Sequence, residues 1–207
     1  MITIVDYGMG NLRSVQKAVE YLNEDAEISN KKESLENADK IILPGVGAFG
    51  QAMDNLTSLG LTDVLTKEVV KKKKPFLGIC LGMQLIFDKG HEMGEFRGLG
   101  WVPGEVTKMD KGGEDLKIPH VGWDEVKIVK ESPLFKGTKD KTAFYFVHSY
   151  AVQEIGADVS GTCEYGTEFV AVVQKENIFA TQFHPEKSQK DGLKVLKNFL
   201  ELRDESL

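Results

Sequence analysis

The sequence predicts an α/β fold in which a central, mostly parallel sheet carries helices on both faces and gains antiparallel strands in the C-terminal half. Up to Phe87, short apolar runs alternate with stretches whose apolar residues recur at helical spacing, which is typical of right-handed β-α-β crossovers. After Phe87, apolar segments are short and separated by glycines and other turn residues, which favours antiparallel strands and hairpins. In such a sheet, ligands bind at the carboxyl ends of the parallel strands.

The first half contains three strand segments before the central apolar run that follows Pro75. Ile2–Val5 is short and apolar, Ala26–Ser29 is weaker, and residues 40–43 end at Pro44 and two glycines. Helices are predicted where apolar residues repeat at helical spacing: Val15, Ala18, Val19 and Leu22, and again Leu61, Val64, Leu65 and Val69.

The second half contains strand candidates at 142–150, 159–163, 169–174 and 178–183. A helix closes the chain, for which Ser188 and Asp191 form a predicted capping box. Its apolar face consists of Leu193, Leu196, Phe199 and Leu200.

Composition limits the class of protein. The chain has 207 residues, 41% hydrophobic and 28% charged, which is typical of a globular chain, and we expect one domain over 1–207. The net charge of −6 argues against nucleic acid as a main partner, and no apolar run approaches the roughly 18 residues of a membrane span. The N-terminus resembles a strand and not a signal peptide, and the two cysteines provide no disulfide framework. A cytoplasmic location is therefore expected.

Cys80 is the candidate nucleophile. Gly78 and Gly82 flank it as Gly-x-Cys-x-Gly, the thiol version of the nucleophile elbow, in which a sharp strand-to-helix turn projects the central side chain. An amphipathic helix is expected from Leu81 to Phe87; its positive end would favour the thiolate, and the N–H after the cysteine would face a developing oxyanion. The alternative is a buried structural cysteine in a core strand.

A candidate base lies near the C-terminus. Pro185 biases His184 toward an extended conformation, in which residues two apart share a face. His184 could therefore accept the proton of Cys80 while Glu186 orients the imidazole, as in a catalytic triad.

Two glycine loops follow predicted strands. The Gly8–Gly10 loop lacks the third glycine of a dinucleotide fingerprint and the Gly-Lys-Ser/Thr ending of a P-loop, so it gives little support for a cofactor. Gly45 and Gly47 suit a loop whose backbone approaches a ligand closely, although a plain βα turn would look the same.

These motifs together resemble the class I, triad-type glutamine amidotransferases, and within them the glutaminase subunits of imidazole glycerol phosphate synthases. The resemblance spans nearly the whole chain, and the first, fourth and fifth segments carry the narrower likeness. The matching segments are 6–12 (DYGMGNL), 43–49 (LPGVGAF), 78–84 (GICLGMQ), 119–123 (PHVGW), 145–150 (YFVHSY) and 182–188 (QFHPEKS).

The resemblance implies a flavodoxin-like amidotransferase fold and hydrolysis of the glutamine side-chain amide by Cys80, His184 and Glu186. It implies an oxyanion hole made by the backbone N–H groups of Leu81 and of the 45–47 loop, Val46 and Gly47. It implies that glutamine is held by Gln84, Glu92 and the segment His148, Ser149 and Tyr150. Without the resemblance, the position of Gln84 favours a solvated helix residue, and His148 could equally be a satisfied structural histidine.

Two departures from the family pattern are present. Gly90-His91-Glu92 stands where the family usually has Ser-Glu-Glu, which leaves the glutamate but alters its loop. Asp124 stands where asparagine is common.

The resemblance also implies a partner that uses the ammonia, a (β/α)8-barrel cyclase subunit, contacted through Asn11, His120, Trp123 and Lys187. No metal or cofactor is implied. The alternative is a paralogous glutaminase that supplies ammonia for amidino groups on surface sugars, and its motifs are nearly the same.

Overall fold

The computed structural model describes residues 1–113 and 115–202. Its strands are β1 Ile2–Val5, β2 Ala26–Ser29, β3 Lys40–Gly45, β4 Phe76–Cys80, β5 Phe87–Gly90, β6 Phe96–Arg97, β7 Val102–Lys108, β8 His120–Ile128, β9 Thr142–His148, β10 Tyr150–Ala151, β11 Val159–Tyr165, β12 Thr167–Lys175 and β13 Ile178–Thr181. Its α-helices are α1 Leu12–Tyr21, α2 Lys32–Asn37, α3 Phe49–Ser58, α4 Leu61–Thr66, α5 Leu81–Gln84 and α6 Gln189–Leu200. A π-helical turn, Lys67–Lys71, continues α4.

The main sheet has nine strands in the order β2-β1-β3-β4-β13-β12-β11-β8-β9. Its first five strands are parallel, and the strands from β12 onward are antiparallel to their neighbours. A second sheet of four strands has the order β10-β7-β5-β6. The predicted α/β class with a parallel core and an antiparallel C-terminal extension is confirmed.

The core has two apolar layers, one on each face of the main sheet. Consecutive residues of β3 point to opposite faces, so Ile41 and Leu43 join one layer and Ile42 the other. The layer around Leu35 and Leu56 includes α2, α3 and α4, whereas α1 and α6 cover the opposite face. Both faces of the sheet are therefore covered by apolar side chains, as a parallel sheet requires.

The C-terminal strand predictions are confirmed in position, but 178–183 is shorter and differently paired. β13 ends at Thr181 and runs parallel to β4, with Thr181 opposite Ile79. A local pattern cannot reveal this pairing, because it joins segments about a hundred residues apart. The consequence is that residues following β13 arrive beside Cys80.

Two local predictions are wrong. The helix after Cys80 is the single turn α5, buried on all sides, and the chain re-enters a strand at Phe87. The Ser188–Asp191 capping box does not form: the Ser188 hydroxyl donates to the His184 carbonyl at 2.7 Å and accepts from the Tyr145 N–H at 2.9 Å. Ser188 thus fixes the segment that contains His184 instead of capping α6.

Candidate active site

Cys80 occupies the corner between β4 and α5 in a strained conformation. Its φ of 55° and ψ of −109° cost a residue with a side chain on the order of 1–3 kcal/mol. A Cβ on Gly78 would lie 2.7 Å from the Gly82 carbonyl oxygen, and a Cβ on Gly82 would lie 1.7 Å from that of Leu43. Only glycine fits on either side, so the sharp corner predicted from Gly-x-Cys-x-Gly is present.

His184 and Glu186 lie together in the interior. Their side chains are 3% and 2% exposed, and His184 Nδ1 lies 2.8 Å from Glu186 Oε1. Burial lowers the pKa of His184, but the interactions with Cys80 and with Glu186 outweigh it and raise the pKa to about 9. Within the described residues, His184 Nε2 makes no hydrogen bond. Because His184 interacts with Cys80 and its Nε2 is not engaged elsewhere, this nitrogen is free to exchange a proton with the sulfur.

A cavity of about 360 Å³ opens onto the corner. Nine residues that the sequence singled out line it: Val46, Gly47, Cys80, Leu81, Gln84, Glu92, His148, Ser149 and Tyr150. A larger cavity, of about 710 Å³, is lined by residues around Cys163 and contains none of these nine. Cys163 is buried, and its burial raises its thiol pKa to about 12, as suits an inert packing role.

The residues predicted to form an oxyanion hole, Leu81, Val46 and Gly47, line the same cavity. Leu81 is the first residue of α5, so its N–H has no acceptor within the helix. Gly47 has a φ of 109°, and a Cβ there would lie 2.6 Å from Met9 Cε. Gly45 differs, because it belongs to β3 and pairs with Cys80. A Cβ on Gly45 would lie 2.1 Å from the Tyr7 hydroxyl oxygen, so glycine leaves room for that hydroxyl. Of the two glycines, only Gly47 uses a backbone conformation reserved for glycine.

Gly45→Ala is expected to lower the free energy of unfolding by about 1–3 kcal/mol, because the methyl group would overlap Tyr7 Oη and press on Leu81. Tyr7→Phe should recover part of this loss in the double variant, since the Tyr7 hydroxyl is buried without a hydrogen bond. Urea unfolding measures both. Gly156→Ala, where a Cβ meets nothing within 4 Å, is the control. A Gly45→Ala chain as stable as the control would contradict the overlap.

Gln84 and Glu92 are held by the protein and not solvated. Gln84 is 6% exposed, and its amide nitrogen donates to the Tyr150 carbonyl at 2.9 Å and to Gln182 Oε1 at 3.1 Å. Glu92 Oε2 accepts the Phe49 N–H, the first of α3, at 3.0 Å. Both N–H bonds of Gln84 are thus used, which leaves its carbonyl oxygen for a ligand.

The altered Gly90-His91 pair does not displace Glu92. A Cβ on Gly90 would lie 2.4 Å from the Phe49 ring, and His91 Nε2 lies 2.7 Å from Glu105 Oε2. Glycine at 90 therefore permits the packing of Phe49 that brings Glu92 to the start of α3.

The side chains of His120 and His148 form a buried pair. His120 Nδ1 lies 3.2 Å from His148 Nε2, and its Nε2 lies 2.6 Å from Asp124 Oδ2. His148 Nδ1 donates to the Tyr150 carbonyl at 2.9 Å, and burial lowers the pKa of His148 to about 3. The His148 ring is thus a neutral structural group, and only its backbone is available to a ligand.

His120 was predicted at the partner surface, and this is wrong for its side chain, which is 1% exposed. Side chains alternate along β8, so Val121 and Trp123 point to solvent while His120 points inward. Asn11 is exposed and its side chain accepts the Ser14 N–H at the start of α1. Lys187 is exposed, with Nζ 5.9 Å from the centre of the Tyr145 ring, which also packs edge-on against Trp123.

The family model described as "Glutamine amidotransferase class-I" matches residues 3–202. The chain belongs to this family. Imidazole glycerol phosphate synthase subunit HisH of Methanocaldococcus jannaschii is 54% identical over 98% of this chain and 100% of its own length. Subunit HisH 1 of Campylobacter jejuni (strain RM1221) is 50% identical, with 98% of this chain and 100% of its own length covered.

Solved structures share the fold of this amidotransferase. A crystal structure of a glutamine amidotransferase has a TM-score of 0.75 at 19% identity and covers 97% of this chain and 98% of its own. The structure of PurLQS from Thermotoga maritima also has a TM-score of 0.75 at 19% identity, with 96% of each chain covered.

Two residues beside the sulfur of this amidotransferase were missed by the sequence reasoning. Gln182 is 1% exposed, and its Nε2 lies 3.7 Å from Cys80 Sγ. Tyr7 is 1% exposed, and its pKa is raised, mainly by burial and to a smaller extent by the charge of Cys80. Both lie in segments quoted for the family resemblance, but their spacing from Cys80 carries no local signal.

Within residues 1–113 and 115–202 of the amidotransferase, no group of three or more His, Cys, Asp or Glu side chains is arranged to hold a metal ion. In the same residues, no helix combines the length and the apolar character needed to cross a bilayer.

Proposed function

We propose that the chain is the glutaminase subunit of an imidazole glycerol phosphate synthase. In this role it hydrolyses L-glutamine to glutamate and ammonia and passes the ammonia to a (β/α)8-barrel cyclase subunit in histidine biosynthesis. The observation that carries the proposal is that Cys80, which lines the cavity with Val46 and Gly47, also interacts with the buried His184–Glu186 pair. The two HisH relatives, similar over their whole length, support the choice of pathway. No observation favours the sugar-amidination alternative.

The proposed mechanism begins with attack of the Cys80 thiolate on the amide carbon, forming a C–S bond. The oxyanion accepts hydrogen bonds from Leu81 N–H and from the loop at Val46 and Gly47. With a pKa raised to about 9, His184 already carries its second proton at neutral pH, so it can protonate the departing ammonia. Water then attacks the thioester and gives its proton to His184, which releases glutamate and restores the thiolate.

The substrate head group is proposed to bind at the other end of the cavity. The Gln84 carbonyl oxygen and the Glu92 carboxylate are acceptors suited to the α-ammonium group of glutamine. The backbone of Ser149 and Tyr150 would then meet the α-carboxylate. These contacts would recognise the amino-acid part of glutamine, and they are the same whichever pathway uses the ammonia.

The partner is proposed to dock on the surface that includes Asn11, Val121, Trp123 and Lys187. Val121 and Trp123 are 55% and 45% exposed. Trp123 packs against Tyr145, and Lys187 Nζ lies 5.9 Å from the centre of the same Tyr145 ring. We propose further that 1–207 acts as one domain, since the main sheet uses strands from Ile2 to Thr181. A cytoplasmic location fits a reaction that needs the reduced Cys80 thiol.

Genetic complementation tests the pathway. Expression of this chain with its own barrel partner is expected to restore growth without histidine to an auxotroph that lacks both subunits. The Cys80→Ala chain with the same partner is the control, and it should fail unless ammonium is abundant. No growth with both wild-type proteins expressed and associated would contradict the histidine role and direct attention to the sugar paralogue.

A further inference from the structure

The Cys80 sulfur is contacted by an amide that the triad mechanism does not use. Gln182 Nε2 lies 3.7 Å from Cys80 Sγ, and both side chains are buried. On another side, the Val147 carbonyl oxygen lies 4.0 Å from the sulfur. A carbonyl can only accept, so it favours the neutral thiol, whereas an N–H donor favours the thiolate.

The orientation of the Gln182 amide follows from its neighbours. The Tyr150 carbonyl only accepts, so the atom of Gln84 that faces it at 2.9 Å is the NH₂ group. That NH₂ also lies 3.1 Å from the Gln182 amide, which must present its oxygen there. The other end of the Gln182 amide, facing Cys80, is therefore its NH₂. The Tyr150 carbonyl thus orients the Gln84 amide, and the Gln84 amide orients that of Gln182, so that an N–H donor faces the Cys80 sulfur.

The main chain holds Gln182 in this position. Its own N–H donates to the Ala171 carbonyl at 2.8 Å, and two residues later the His184 N–H donates to the Tyr145 carbonyl at 2.9 Å. Neither polar atom of the Gln182 side chain is left without a partner within the described residues. The amide is therefore preorganised before any substrate binds.

We propose that Gln182 is a positioning residue that donates a hydrogen bond to Cys80 Sγ and stabilises the thiolate, with its direction set by the Tyr150 carbonyl through Gln84. The inference rests on the proposed role of Cys80 as nucleophile. It adds a donor to the sulfur itself, separate from the His184 proton and from the backbone N–H groups that serve the oxyanion.

Other titratable groups face the sulfur, and these residues are the same in the wild type and in the Gln182 variants. His184 and Tyr7 interact with its charge, from the segment after β13 and the segment after β1 respectively. His148, from β9, and Glu92 line the same cavity. Any change caused by substitution at Gln182 is measured against this fixed set.

The test is the pH dependence of Cys80 alkylation by iodoacetamide in the full-length chain, followed by peptide mass spectrometry. Gln182→Glu keeps the size of the side chain and an oxygen for Gln84, but it presents a charged oxygen to the sulfur. The alkylation midpoint should move to higher pH by one unit or more, on the order of a lost hydrogen bond to a charged group. Gln182→Met, which removes the donor without adding charge, should move it by about one unit.

Gln174→Met, the same chemical change toward the other end of the sheet, is the matched control and should leave the midpoint unchanged. A purely structural role for Gln182 would lower the rate at every pH and leave the midpoint where it is, and that result would overturn the inference. Should the methionine variant fail to fold, the glutamate variant decides alone. Because alkylation needs no glutamine, loss of the proposed glutaminase function and failure of this inference remain distinguishable.

Discussion

Cys80→Ala is expected to abolish glutamine hydrolysis while leaving ammonia-dependent synthesis by the complex largely intact. In the proposed mechanism the Cys80 sulfur forms the covalent bond to the substrate, and it lies at the strained corner that opens onto the cavity. The loss should be at least on the order of 10⁴-fold, as for removal of a triad member. Glutamate release and ammonia-driven product formation by the same preparation measure the two activities. Cys163→Ala, at the buried second cysteine, is the matched control and should keep both.

The base should behave as one unit with the nucleophile. His184→Ala is therefore expected to cost about as much as Cys80→Ala, since neither group works without the other. Glu186→Gln should cost less, because the amide oxygen can still accept from His184 Nδ1 at the position now occupied by Oε1. Glutaminase activity that persists in Cys80→Ala would rule out the mechanism, and a fully active His184→Ala would remove His184 from it.

The isolated chain is expected to be a poor glutaminase that its partner activates by about 100- to 1000-fold, the effect of one oxyanion donor. Gly47, at φ 109°, can turn the loop N–H toward the cavity or away from it at little cost. A partner shifts such a balance only by binding one loop state more tightly. Val46 is 42% exposed and offers the contact.

We expect docking to reach the triad through Lys187, because this residue follows Glu186 directly and its side chain is exposed. The measurement is glutamate release by the chain alone, with the barrel, and with the barrel and its nucleotide ligand, in wild type and in Lys187→Ala. Lys190→Ala, an exposed lysine in the first turn of α6, is the control. Full activity of the lone chain would end the activation hypothesis, and unchanged activation in Lys187→Ala would remove this residue from it.

The nucleophile corner and the His-Pro-Glu segment could be predicted because each is a local pattern with a steric or chemical reason. Glycines on both sides of Cys80 have one strong explanation, and the structure shows the contacts that demand them. The parallel pairing of β13 with β4 could not be predicted, because strands in both orientations share the same alternation.

Errors arose where a local rule met a stronger tertiary contact. Ser188 has the sequence of a helix cap, but its hydroxyl is used by Tyr145 and His184. His120 lies in a segment that resembles an interface, but strand alternation turns it inward against His148. Gly45 suggested a loop whose backbone approaches a ligand closely, whereas its missing side chain makes room for the Tyr7 hydroxyl.

The position of β13 has a consequence for the chain while the ribosome is still synthesising it. The base and its orienting carboxylate follow the last strand of the main sheet, and that strand must insert beside β4, a strand completed about a hundred residues earlier. With the proposed triad, a nascent chain therefore contains Cys80 for much of translation before His184 and Glu186 are in place. Unfinished chains, and proteolytic fragments that lack β13 and the residues after it, are expected not to hydrolyse glutamine, because the base reaches the sulfur only after β13 has paired with β4.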